Sequence, residues 1–335
     1  MKNLFTKEAA TKRHIPNEVL GVDLGASGTK VVRLRKGKET ISLVGASLLP
    51  PLDANATALA LPPELVTNYA AVTLSSNQHL IRLINVPGVG ETETALAAKL
   101  QDIVKVEKSQ RFAFRILRAV PGKRETLVLT VALPETEVLR VLALLPHGPP
   151  AACSCEDAGL AALTAFFHGP GREFYDDAVC FIETGANGTF VAFINKNTPV
   201  LIRSLELGGE KLIANLQSQW GLDRETALGA LGQGATIDIS QPLRELASPA
   251  LRQLNISRDF VERQEGCRIS KVFLSGGLGQ IKQWGQAVQE SMGVAAVVWD
   301  PLEALQVSAV SEAIRNQSGR FASAIGAALA ALEEA

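Results

Sequence analysis

The chain has 335 residues, a formal net charge of −1, 47% hydrophobic and only 5% aromatic side chains. So even a charge balance excludes the basic face that a nucleic-acid partner would need, and no stretch approaches the roughly 18–20 uncharged apolar residues of a membrane span. Cys153, Cys155, Cys180 and Cys267 are too few and too irregular for a disulfide framework or a zinc site, which suits a reducing cytoplasm. Residues 1–17 carry Lys2, Lys7, Glu8, Lys12 and Arg13 without an apolar core, so they read as an N-terminal arm and not as a signal peptide.

In chain order, residues 20–23, 30–35 and 40–46 are predicted strands. Tight turns at Ser27-Gly28 and Lys36-Gly37-Lys38 make them an antiparallel meander. The first turn reads Asp23-Leu24-Gly25-Ala26-Ser27-Gly28-Thr29-Lys30. Glycines there leave backbone N–H groups bare, which suits a phosphate, and Asp23 is placed to hold a metal ion through water. Ordinary hairpins close with the same residue types. A proline-bounded loop, 50–63, leads to a short predicted helix at 64–68. A strand at 70–74 then crosses over into the same sheet, completing a first core over 18–75.

Residues 76–148 read as an inserted α+β unit: strand 79–86, helix 91–104 with Leu96, Leu100 and Ile103 on one stripe, strands 112–119 and 126–132, and helix 135–145. That order predicts a small sheet with its helices on one face. A helix at 155–167 belongs to the return into the first core, 149–175.

The second half repeats the first. Strands are predicted at 177–182, 189–195 and 198–205, within a second core over 176–209. When Asp23 is laid on Glu183, Gly25, Ala26, Gly28 and Thr29 fall on Gly185, Ala186, Gly188 and Thr189, with Asn187 at the place of Ser27. Two acid–turn–strand units so far apart imply a duplicated domain with a cleft between the halves. Gly208-Gly209 opens a helix at 210–220, and residues 210–267 form a helical insertion whose longest helix covers 248–265. A strand at 271–274 stops at Ser275-Gly276-Gly277-Leu278-Gly279. A Gly-Gly turn between strand and helix brings backbone and a helix N-terminus to a nucleotide. Residues 268–335 complete the second core with a strand at 294–299 and end in an alanine-rich helix at 321–333 that is expected to pack back on the first core.

Several segments carry a family resemblance: 21–34; Cys155-Glu-Asp-Ala-Gly-Leu-Ala-Ala-Leu163; Ile202-Arg-Ser-Leu-Glu-Leu-Gly-Gly209; Val272-Phe-Leu-Ser-Gly-Gly-Leu-Gly279; and Ala324-Ile-Gly-Ala-Ala-Leu329. They resemble the actin-like ATPase superfamily, and within it the PilM family of type IV pilus assembly proteins, relatives of FtsA. The position of the inserted unit favours that branch over sugar kinases. The resemblance implies an α/β, actin-like fold of two duplicated domains flanking a nucleotide cleft, with the small subdomain inserted in the first. It implies ATP or ADP with Mg²⁺. Asp23, Gly25, Ala26, Ser27, Gly28, Thr29 and Lys30 would lie on one side and Glu183, Gly185, Ala186, Asn187, Gly188, Gly208 and Gly209 on the other. Gly276 and Gly277 would lie against the adenosine, and Asp23 and Glu183 would serve the metal.

The resemblance further implies an inner-membrane-associated scaffold that grips the N-terminal tail of a PilN-like membrane protein, beside other assembly-platform proteins, with self-association a further expectation. Glu183 stands where the family has Asp, and Thr226-Ala227-Leu228-Gly229-Ala230 lacks the family's acid and base. Weak or absent hydrolysis is therefore expected. An active ATPase or small-molecule kinase, or a filament former, remains the alternative.

Overall fold

In the computed structural model, residues 17–87, 93–119, 124–145, 149–174, 176–232, 237–307 and 310–333 are described. The expected N-terminal arm up to residue 16 lies outside them, as do residues 233–236 of the 232–239 loop.

The first sheet starts with β1 (Glu18–Gly25), β2 (Gly28–Lys36) and β3 (Ile41–Leu49), the expected antiparallel meander. β1 is apolar along most of its length because both its faces are covered, as in a central strand. The helix expected at 64–68 is only a 3-10 turn, Pro63–Leu65; Val66 is already extended and the chain runs straight into β4 (Tyr69–Leu74). β4 pairs with β1 in parallel, which sets Thr73 beside Asp23.

The inserted unit contains β5 (Leu80–Pro87), α1 (Glu93–Val104), β6 (Gln110–Ala119), β7 (Glu125–Pro134) and α2 (Glu135–Ala143). Its sheet has the order β5-β7-β6. Leu96 and Leu100 of α1 cluster with Val86, Val128 and Phe112, whereas Val138 and Val141 of α2 join the main core with Leu129, Val131 and Leu133. Successive residues of β7 point to opposite faces, so the two helices cover opposite faces of the sheet and not one.

A second correction concerns the return to the first core. Residues 155–157 are not helical: they end β8 (Ala151–Asp157), which pairs in parallel with β4. The helix α3 (Ala158–His168) begins only where the Asp157 carboxylate accepts the Leu160 N–H at 3.1 Å. That N-cap sets the boundary. The small and apolar residues on either side give no change of period to mark it.

The second sheet repeats the plan with β9 (Ala178–Thr184), β10 (Thr189–Asn195) and β11 (Thr198–Leu205). Next come α4 (Gly209–Trp220), α5 (Arg224–Ala230) and α6 (Ser240–Glu265). α6 starts earlier than expected and runs through Pro249, because a buried stripe of Leu243, Ala247, Leu254 and Val261 holds it on the core despite the missing N–H. β12 (Ile269–Ser275), the short turn α7 (Gly276–Gly279), α8 (Lys282–Met292) and β13 (Ala296–Val298) complete the sheet. β14 (Gln306–Val307), α9 (Glu312–Arg315), a 3-10 turn at Ser318–Phe321 and α10 (Ala322–Glu333) follow.

The sheet orders are β14-β3-β2-β1-β4-β8 and β11-β10-β9-β12-β13. Apart from β14 they are the same sequence of strands, so the duplication seen in the two glycine turns extends through both sheets. α3 and α10 pack on each other, α10 also lying on β1, β2 and β4 while α3 reaches β9 and β10. Both helices are buried along nearly their whole length. Their backbones come so close that a Cβ on Gly326 would overlap the Ala161 carbonyl.

Candidate functional site

Register builds the first jaw. Asp23 and Lys30 face each other across the β1–β2 hairpin, and Lys30 Nζ lies 3.1 Å from Asp23 Oδ2. Thr73 Oγ1 donates to the other carboxylate oxygen at 2.9 Å. Asp23 is only 6% exposed, so its orientation is fixed by both partners. The lysine ammonium occupies the space that a side chain at Gly25 would need.

The second jaw is the 185–188 turn. Gly185 N–H donates to Gly188 O at 2.9 Å, and the start of α4 locks it from behind: Gly209 N–H to Gly185 O at 3.0 Å and Glu210 N–H to Ala186 O at 2.9 Å. A Cβ on Gly208 would strike the Ala186 carbonyl. Two of the amides that a helix start leaves unpaired thus hold the turn in place, giving Gly208 and Gly209 a positioning part. The third corner, Gly276, has φ +80° and lies against the Thr184 backbone, so only glycine fits.

These elements enclose a cleft of about 2000 Å³. Of the residues expected there, Asp23, Gly25, Ala26, Ser27, Lys30, Glu183, Gly185, Ala186, Asn187, Gly188, Gly209, Gly276 and Gly277 line it, while Gly28, Thr29 and Gly208 lie behind the lining. The cleft also takes in residues with no local sequence signal: Arg320 just ahead of α10, Ser323 in its first turn, and His79 and Asp157 at the entrance to the inserted unit. They meet only through tertiary packing. Asp157 falls within the helix expected at 155–167, and its role as the α3 N-cap emerges only in the structure.

Glu183 is half-buried in the cleft wall. Burial, together with the negative charges of Asp23 and Asp157, pushes its pKa up to about 8, against the opposing pull of the Ser323 hydroxyl and Lys30. Ser323 Oγ donates to Glu183 Oε1 at 2.9 Å. At neutral pH this carboxyl is therefore mostly protonated, and it must shed a proton before it can serve a cation.

Among the described residues no group of three or more His, Cys, Asp or Glu side chains is arranged to hold a metal ion. One ion-paired aspartate and one protonated glutamate suit Mg²⁺ only if phosphate oxygens and water supply most of its shell. The bare turns on both sides, the Gly276 corner and the cations Lys30 and Arg320 fit a nucleotide polyphosphate.

At the mouth, His79 Nδ1–H donates to Asp157 Oδ2 at 2.6 Å, and its Nε2 lies 3.0 Å from Ser204 Oγ on β11. One side chain thus ties the inserted unit to both sheets. Burial lowers its pKa, but the Asp157 hydrogen bond and charge, with Glu137 behind them, hold it above the ordinary histidine value. A raised histidine pKa stabilises the fold fully below the unfolded pKa, ~6.5, and that stabilisation disappears as pH rises through the folded value. His79→Ala is accordingly expected to lower Tm most near pH 6, the gap narrowing toward pH 9. A gap independent of pH in melts across that range refutes the charged pair.

A family model described as Type IV pilus assembly protein PilM matches residues 165–332. Among solved structures, the chain is similar to one in a PilM-PilN type IV pilus biogenesis complex, with 21% identity and a TM-score of 0.79 over 95% of this chain and 99% of that one. It also matches the ethanolamine utilization protein EutJ from Carboxydothermus hydrogenoformans, at 14% identity and a TM-score of 0.45 over 94% of this chain and 90% of that one. Ta0583, an archaeal actin homolog solved with ADP, matches at 15% identity and a TM-score of 0.48, over 94% of this chain and 99% of that one. The fold is actin-like, and among the described residues no helix is long and apolar enough to cross a membrane. With the family model spanning half of its length, the chain belongs to the PilM family of type IV pilus assembly proteins.

Proposed function

We propose that the chain is a nucleotide-binding adaptor of the type IV pilus assembly platform. It holds ATP or ADP with Mg²⁺ in the cleft and grips the N-terminal cytoplasmic tail of a PilN-like membrane protein, which recruits it to the inner membrane. The observation that carries this reading is the pair of glycine turns, 25–28 and 185–188, on the two sides of one cleft with Asp23 buried between Lys30 and Thr73. Bare backbone amides on both sides suit phosphates, and a fixed carboxylate suits metal-bound water. Family membership supports the assembly role.

Turnover is expected to be slow, because hydrolysis needs a group positioned beside the attacking water. Glu183 supports a second reading, an active ATPase: a carboxyl with a pKa of about 8 has the basicity of a general base. Its bond to Ser323 holds it in a wall contact, which favours the adaptor.

Calorimetric titration with Mg·ATP, a phosphate-release assay and binding of a PilN-type tail peptide test both readings. Measurable ATP affinity, at least about tenfold weaker in Asp23→Asn, with slow release and peptide binding, is the expected outcome. Brisk release that disappears in Glu183→Gln decides for the ATPase.

A further inference from the structure

Two cations touch the first turn, and they are in different electrostatic states. Lys30 is neutralised by Asp23 at 3.1 Å. Arg320 has only neutral partners: Nη2 donates to the Ser27 carbonyl at 2.9 Å and to Ser27 Oγ at 3.3 Å, and Nη1 to Gln317 Oε1 at 2.6 Å. A guanidinium carries five N–H donors, so these contacts leave about two unused. Burial lowers the Arg320 pKa while Asp23 opposes the shift, yet a guanidinium stays charged throughout the working pH range. The turn that bears it, Ser318–Phe321, is anchored by Ser275 Oγ to Gly319 O at 3.3 Å. The Gln280 amide, oriented by its partners, accepts the Gly319 N–H at 2.8 Å and donates to Asn316 O at 3.0 Å. Arg320 thus reaches from beside Gly277 to Ser27, across the part of the cleft where the glycine turns converge.

We propose that Arg320 is the residue that selects a polyphosphate in this cleft, a role that rests on the nucleotide reading above. A partly desolvated cation with neutral partners lacks a counter-charge that an anion supplies, and its remaining N–H donors can make charge-assisted hydrogen bonds to phosphate oxygens. Ser27 and Gln317 hold the fork in place beforehand, so little side-chain entropy is lost when the anion arrives. Lys30 contributes less net charge because its pair with Asp23 is already formed.

The test is titration of ATP, ADP, AMP and adenosine, each with Mg²⁺, into the wild-type protein, Arg320→Gln and Arg320→Lys, by calorimetry and by thermal shift. Arg320→Gln is expected to weaken ATP and ADP binding by about 10- to 100-fold and to leave adenosine unchanged. Arg320→Lys should fall between, keeping the charge without the fork. Wild-type ATP binding with unaltered ATP affinity in both variants overturns the role of Arg320 and leaves the nucleotide reading intact. Absence of ATP binding by the folded wild-type protein overturns the nucleotide reading and this inference with it. Should Arg320→Gln fail to fold, Arg320→Lys decides: a loss confined to the phosphorylated ligands supports the proposal, and an equal loss for adenosine refutes it.

Discussion

Gly326→Ala is expected to destabilise the protein by about 1–3 kcal/mol, against the sign that helix propensity gives. In a helix interior, glycine to alanine normally gains about 1 kcal/mol. Gly326 lies inside α10, where its missing side chain lets the backbone reach α3: an added Cβ would overlap the Ala161 carbonyl and stand 3.1 Å from the Ala165 amide nitrogen. Neither atom belongs to a flexible side chain, so the helices must separate. On its other side α10 cannot retreat, because a Cβ at Gly21 of β1 would already run into the Ala324 carbonyl. Overpacking of this kind costs about 1–3 kcal/mol or more in a dense core, and both helices are buried along their lengths. Gly229→Ala supplies the opposite sign: within α5 an added Cβ meets nothing within 4 Å, so a gain of up to about 1 kcal/mol is expected. Denaturant midpoints at constant m-value measure both. A raised midpoint for Gly326→Ala refutes the close contact.

That contact shows what the sequence contained and what it did not. The duplication was legible because it rests on local chemistry: an acid, two glycines and a strand, stated twice. The meanders were legible because turns and alternating runs mark them, and β10 and β11 have the expected bounds. The start of α3 was hidden because the residues on both sides of Asp157 suit helix and buried strand alike. The opposite placement of α1 and α2 followed from pairing β7 between β5 and β6, which exposes both faces of one small sheet to separate cores. The site divides in the same way. Asp23 and the glycine turns announce themselves, whereas Arg320, Ser323 and Thr73 are ordinary residues in their own segments. They become site residues only when the 318–321 turn and β4 are brought to the β1–β2 hairpin and the start of α10 to β9. Glu183 was visible as an acid, but its protonation state depends on burial and on distant Asp157 and Ser323.

That protonation state leads to the second large effect. The Glu183 carboxyl has a folded pKa of about 8, well above the ~4.3 of an unfolded glutamate. Between these values the folded protein holds a proton that the unfolded chain has released, so stability falls as pH rises through the window. Each unit is worth about 1.4 kcal/mol, and the whole window sets a ceiling of a few kcal/mol. Glu183→Gln removes the titration while keeping an acceptor for Ser323 Oγ. The variant and the wild type should therefore have similar Tm near pH 4.5 and diverge upward in pH, with the variant the more stable by pH 8.5. Ser323→Ala removes a contact that lowers the pKa, so it should extend the wild-type loss to higher pH.

The same proton gives a ligand-linked readout. If Mg²⁺ enters beside Asp23 with a polyphosphate, its charge favours the Glu183 carboxylate and the proton must leave. Calorimetric heats of Mg·ATP binding at pH 7 should then vary with the ionisation enthalpy of the buffer, revealing up to about one proton released per nucleotide. In Glu183→Gln that dependence should vanish. Equal heats in all buffers for the wild type would mean that Glu183 stays protonated and bonded to Ser323 with the nucleotide in place, leaving Asp23 to serve the metal without it and Lys30 as the cation that competes for Asp23.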